Sequence, residues 1–239
     1  PTMATRALGM SLTYTAKPSV RRLHDLDRNT WIVILFVAIA ISRGILYALL
    51  TPPFSAPDEK GHYDYLASLH ENGWGTIEGR ESDQPPLYYL LSLPLFAAFA
   101  GQVSDLAIYA LAADNVSLSS LLAVRCFSVL LTAATVPLAY RAARMLCPED
   151  RFVSLGAAAF VALVPAYGWV GASINNDSLA NLFSSVLILM MLRGIRDGFT
   201  VRGALVMAAL AVAGMASKPT MLPAAALLPV VIGLSLAFQ

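Results

Sequence analysis

Six long apolar runs, at 31–50, 121–140, 152–172, 179–192, 201–216 and 221–238, leave this chain little choice of fold. The first, WIVILFVAIAISRGILYALL, extends about 30 Å as a helix, the thickness of a bilayer's hydrocarbon core. The composition agrees: 13% of residues are charged and 57% hydrophobic, where a soluble domain carries about 25% charged residues. The mean hydropathy of +0.66 points the same way. The expectation is an all-α integral membrane protein of about six transmembrane helices. The 31–50 run is too long for a secretory signal peptide, and its exit lacks a small-residue cleavage site.

Sidedness follows from the placement of Lys and Arg. Arg6, Lys17, Arg21, Arg22 and Arg28 precede the first run, which makes 1–30 a cytoplasmic arm and 31–239 the transmembrane module. Arg141, Arg144 and Arg151 follow the second run, and Arg193, Arg196 and Arg202 follow the fourth. A seventh, shorter apolar run at 87–100 carries Pro94. If it crossed, both later clusters would land outside, so it is expected to lie along the outer surface as an interfacial helix. The long first extracytoplasmic loop then covers 51–120 and holds nine of the fifteen acids. Ser173–Asp177 forms a short second loop on the same face.

Within the long loop, Ser55-Ala56-Pro57-Asp58 has the spacing of a capping box, with Gly73 as a stop. A helix from 58 to 72 is expected, with Asp58 and His62 on one face and Tyr65, Leu66 and Leu69 on the membrane interface. Asp58 and Glu59 suit the positive end of that helix as plain structural acids. They equally suit a general base with its orienting partner, or, with His62, a weak divalent-cation site. Asp177, in NNDS before an apolar run, is a good N-cap and can also serve function. Arg43 lies inside the first run, where a charge is costly unless it snorkels or has work to do. Arg125 and Lys218 join it as cations at or below the outer surface, against the positive-inside trend. Three such cations suggest a buried anion, for which a lipid phosphate is the obvious candidate at that depth. Tyr88, Tyr89 and Trp74 fit an interfacial belt.

Cys126 and Cys147 stand about 31 Å apart if helical, too far to pair. No Walker loop, dinucleotide glycine fingerprint, HExxH or CxxC is visible, nor a basic patch suited to nucleic acid.

The order of landmarks resembles the polyprenyl-phosphate-sugar-dependent glycosyltransferases of the GT-C fold, the group of protein O-mannosyltransferases and aminoarabinose transferases. They are an arginine-bearing first span, PDEKGHYDY at 57–65, QPPLYYL at 84–90, AVRCFS at 123–128, NNDSLANL at 175–182 and ASKPT at 216–220. The resemblance covers about residues 30–239. It implies the N-terminal module of a longer protein in a bacterial plasma membrane, working at the extracytoplasmic face. It implies Asp58 as base on the acceptor with Glu59 beside it, Asp177 as a second acid, and Arg43, Arg125 and Lys218 on the donor phosphate. His62, Asn176 and Gln84 join them as donor contacts, Gln84 standing where many relatives carry lysine. No cofactor is required, though a divalent cation is compatible. The partners implied are a polyprenyl-phosphate-linked sugar, membrane lipid, an acceptor of unspecified kind and further membrane subunits. Two other readings stay open: a non-catalytic subunit of a larger complex that keeps the fold, and a binder or transporter of a lipid-linked anion.

Overall fold

The computed structural model describes residues 27–75, 77, 80–100 and 116–237. The cytoplasmic arm expected at 1–30, apart from its last residues, and part of the 51–120 loop lie outside the described residues. Among those described, every regular element is helical: α1 (Arg28–Leu50), α2 (Glu59–Asn72), α3 (Leu87–Phe99), α4 (Leu118–Leu146), α5 (Arg151–Leu163), α6 (Pro165–Val170), α7 (Asp177–Asp197), α8 (Val201–Met215) and α9 (Leu222–Ala237). All six expected apolar segments are helical. Three of them, α1, α4 and α7, are continuous helices long and apolar enough to cross a bilayer. The other three are shorter as unbroken helices.

The local causes are plain in the side chains. Asp27 accepts from the Thr30 amide and starts α1, Ser117 accepts from Ser120 and starts α4, and Thr200 accepts from Gly203 and starts α8. Each satisfies an amide that the first turn leaves without a partner. The expected single span at 152–172 is two helices, because Pro165 disfavours the helical region for Val164, which sits at ψ 117°. Gly198, at φ 90°, ends α7.

α2 begins at Glu59, one residue after the expected start, and Ser55 does not cap it. The residue before it, Asp58, sits in the left-handed region at φ 57° and makes no capping bond with its side chain. Pro57 therefore precedes the helix rather than occupying its first turn. The expectation for Tyr65, Leu66 and Leu69 is also corrected: all three are buried, with Tyr65 stacked on Tyr89 of α3 at 3.7 Å between ring centres. Tyr88 and Tyr89 are fully buried, so neither belongs to an interfacial belt. Trp74 is exposed.

α3 does not run through the bundle. Its first amide, on Leu87, donates to the Ala216 carbonyl at the end of α8, while Ser117 and Ser120 donate to the carbonyls of Phe99 and Phe96 at its other end. The Tyr88 hydroxyl meets Ser128 at 2.7 Å, so α3 packs antiparallel along the N-terminal turns of α4. Those turns project beyond the end of α1, since Thr51 lies level with Arg125. Tyr63, Leu66, Tyr89, Phe96, Leu121, Val124 and Ile174 join there in one apolar core. A second core, around Leu187, Met207 and Met221, ties α7, α8 and α9 together. Large apolar side chains such as Leu35, Leu46, Phe160 and Leu205 face outward, as a lipid-facing surface requires.

Candidate active site

At the end of the bundle where α1 and α8 finish and α2 and α7 begin, the polar and charged residues sort into three groups. The deepest is a pair. Arg125 of α4 donates through Nε and Nη2 to the two carboxylate oxygens of Glu59, at 2.7 and 2.6 Å. Its remaining N–H groups reach the carbonyls of Ala48, Thr51 and Pro52, at 2.8, 2.8 and 3.2 Å. Glu59 also accepts from the amides of Phe54 and Ile174, at 3.0 and 3.1 Å. Both side chains are fully buried. A buried charge pair is tolerable only with its remaining hydrogen-bonding capacity met, and here all five guanidinium donors are used. Arg125, implied as a phosphate contact, has no donor left to offer one. Glu59, implied as a catalytic partner, is committed to Arg125 and to holding the end of α1 against the 171–176 loop.

The second group surrounds His62. Its Nδ1 lies 2.6 Å from the Tyr89 hydroxyl, and the ring is buried. Burial pulls its pKa down to about 4, Lys218 adds to the fall, and Asp58 and Asp177 oppose it. Residues from the start of α2, the start of α7 and the end of α8 thus act on one imidazole, which is neutral at pH 7. Lys218 Nζ pairs with Asp177 at 2.6 Å, both partly exposed. Asp177 is the first residue of α7 rather than its cap. Asn176 precedes it, and the Asn175 side chain accepts the Asp177 amide at 2.8 Å. The Asp58 carboxylate, exposed, has no hydrogen bond or ion pair among the described residues.

Asn176 and Gln84 form a third group. Asn176 is fully buried and donates to Gln84 Oε1 and to the Ser217 carbonyl, each at 3.0 Å. Its own Oδ1 has no partner among the described residues. Arg43 stands apart from all three groups. It donates to the Val164 carbonyl at 2.8 Å, where α5 breaks into α6, and lies close over Gly168. It is about 12 Å below Thr51 along α1.

The cation site drawn from Asp58, Glu59 and His62 is not assembled, because Glu59 faces Arg125 and the His62 Nδ1 faces Tyr89. Among the described residues no three His, Cys, Asp or Glu side chains are grouped to hold a metal. Sequence reasoning set Tyr89, which holds His62, in an interfacial belt and passed over Ser217, which holds Asn176. The only signal was their place in QPPLYYL and ASKPT.

The family model described as dolichyl-phosphate-mannose-protein mannosyltransferase matches residues 106–237, more than half of the chain. The chain belongs to this family. Its membership is that of a GT-C-type membrane glycosyltransferase. No match was found among the curated proteins. The matched stretch carries Arg125, Asn176, Asp177 and Lys218, while Asp58, Glu59, His62 and Gln84 precede it. The two parts are one structure: Glu59 binds both Arg125 and Ile174 of the matched stretch, and Gln84 binds its Asn176.

Proposed function

We propose that the chain is a catalytic transmembrane module which takes a sugar from a polyprenyl-phosphate donor and transfers it with inversion at the extracytoplasmic face of a bacterial plasma membrane. The observation that carries this reading is the state of Asp58. Its neighbour Glu59 is fixed in the buried pair, and its own carboxylate is exposed and uncommitted, acting on the same His62 imidazole as Asp177 and Lys218 do. A general base needs that freedom, and a departing phosphate needs a cation nearby.

In this mechanism Asp58 removes the proton of an acceptor hydroxyl as the acceptor oxygen bonds to the anomeric carbon. The bond from that carbon to the phosphate oxygen breaks, and its electron pair leaves with the polyprenyl phosphate. Attack opposite the leaving group inverts the centre. Lys218 receives the phosphate as it gives up Asp177. Asn176 and Gln84 line the donor side, and neutral His62 is a polar wall that holds no charge of its own against the cation. Arg125 and Arg43 act as positioning residues, one for the loop that presents Asp58 and the other for the α5–α6 break. The matched family's description names dolichyl-phosphate mannose and a protein acceptor, and we take a lipid-phosphate hexose as the first donor to test.

The test is transfer of labelled sugar from a polyprenyl-phosphate donor by the native assembly, wild type against Asp58→Asn, with exposed Glu71→Gln on the same helix as control. Loss of general-base chemistry lowers the rate by about 10²- to 10⁴-fold. Full activity in Asp58→Asn rejects the assignment. No transfer by the wild type with any donor favours a non-catalytic subunit.

A further inference from the structure

At the opposite, arginine-rich end of the bundle, a cavity of about 330 Å³ opens between the first turns of α1 and the last turns of α4. Val33, Ile34, Val37 and Pro137 make its apolar walls, and Thr30, Tyr140 and Arg141 stand at its polar mouth. We propose that this slot binds an anionic glycerophospholipid, with an acyl chain between α1 and α4 and its phosphate on Arg141.

Three observations support that occupant. The slot is amphiphilic in one direction only, apolar along its walls and cationic at its mouth, which is the polarity of a lipid tail and phosphate head. Three other cations at this end have partners: Arg196 pairs with Asp197 at 2.7 Å, Arg144 donates to the Pro148 carbonyl, and Arg151 lies over the Phe152 ring. Arg141 is exposed, and no acid pairs with it among the described residues. Finally, the segment best placed in sequence to fill the slot, residues 1–26, carries Arg6, Lys17, Arg21 and Arg22 against one acid, Asp25. Placing that segment at the mouth would set cations against Arg28 and Arg141, whereas an anionic lipid draws on both sets of charges. The proposal is independent of the glycosyl-transfer reading.

Trp31 adjoins the slot along α1 and can report on it. The full chain, with Trp74→Phe and Trp169→Phe, would be reconstituted in phosphatidylcholine bilayers containing either phosphatidylglycerol or phosphatidylcholine brominated on its acyl chains. Brominated phosphatidylglycerol is expected to quench Trp31 at about a fivefold lower mole fraction, the effect of one arginine on an anionic headgroup. Arg141→Gln should erase that preference. Arg196→Gln, the same charge change at the same end but away from the slot, should keep it. Val37→Phe, which narrows the slot, should weaken quenching by both lipids. Equal quenching by the two lipids in the parent protein overturns the proposal, as would be seen if residues 1–26 or a second copy of the chain filled the slot. So does an equal loss in Arg141→Gln and Arg196→Gln, which would reduce the effect to general charge.

Discussion

Arg125 and Glu59 face each other through two parallel hydrogen bonds in a fully buried setting, 66 residues apart in sequence. The same guanidinium holds three carbonyls at the end of α1. Removing one member of such a pair leaves the other charged and buried, which costs about 3–5 kcal/mol. Glu59→Gln and Arg125→Met should each lower the thermal unfolding midpoint in detergent, and the double variant should fall by less than the sum of the two. Arg125→Lys should rescue little, since an ammonium cannot span both carboxylate oxygens and the carbonyls.

Asp58 should behave differently. Its backbone lies in the left-handed region, which costs a non-glycine residue roughly 1–2 kcal/mol. Asp58→Gly is therefore expected to hold or raise stability while abolishing transfer. Loss of stability comparable to that of Glu59→Gln would show that the carboxylate is structural.

His62 sets a pH limit. Its pKa is about 4 in the folded chain against an ordinary 6.5, so between those values the unfolded chain binds a proton that the folded chain refuses. Stability is full above about pH 6.5 and falls as the pH drops toward 4, by up to about 3 kcal/mol. The unfolding midpoint measured from pH 7.5 to 4 should decline over that window, and His62→Gln should flatten the decline.

Lys218 and Asp177 are partly exposed, so their pair contributes little to stability, on the order of 1 kcal/mol or less. Lys218→Gln should shift the unfolding midpoint only slightly while weakening the binding of a polyprenyl phosphate. Equal binding by the variant and the wild type would remove Lys218 from the donor site.

Two glycines offer a test of packing. A Cβ on Gly171 would lie 2.4 Å from Thr132 Oγ1 and 2.9 Å from the Tyr167 carbonyl, whereas one on Gly156 would meet nothing within 4 Å. Gly171→Ala should destabilise by about 1–3 kcal/mol. Gly156→Ala, inside α5, should be neutral or stabilising by up to about 1 kcal/mol.

The fold was legible where its causes are local. Apolar length placed all six bundle segments, and the arginines after residues 140 and 192 set 87–100 apart from them, in keeping with its packing along the first turns of α4. The break at Val164 was written in Pro165 but hidden by hydropathy, which averages across it. The roles of Tyr65, Tyr88 and Tyr89 could not be read, because an aromatic ring with one polar atom suits a membrane interface and a satisfied core alike; packing against α3 and α4 decides. For the candidate site, sequence supplied candidate residues and not their arrangement. Sequence put Glu59 beside Asp58 and Arg125 among the phosphate contacts, and no local pattern reveals that the two bind each other and so leave Asp58 as the free acid.

The grip of Arg125 on the end of α1 also has a consequence in time. A ribosome adding about 5–20 residues per second delivers Arg125 roughly 3–13 s after Glu59. Until then the end of α1 lacks its carbonyl partner and Glu59 lacks its counter-charge, so a carboxylate that the finished protein buries must wait in water. The loop bearing Asp58 gains its Arg125 anchor only once α4 has followed, and the Ile174 amide on Glu59 and the Asp177–Lys218 pair come later still.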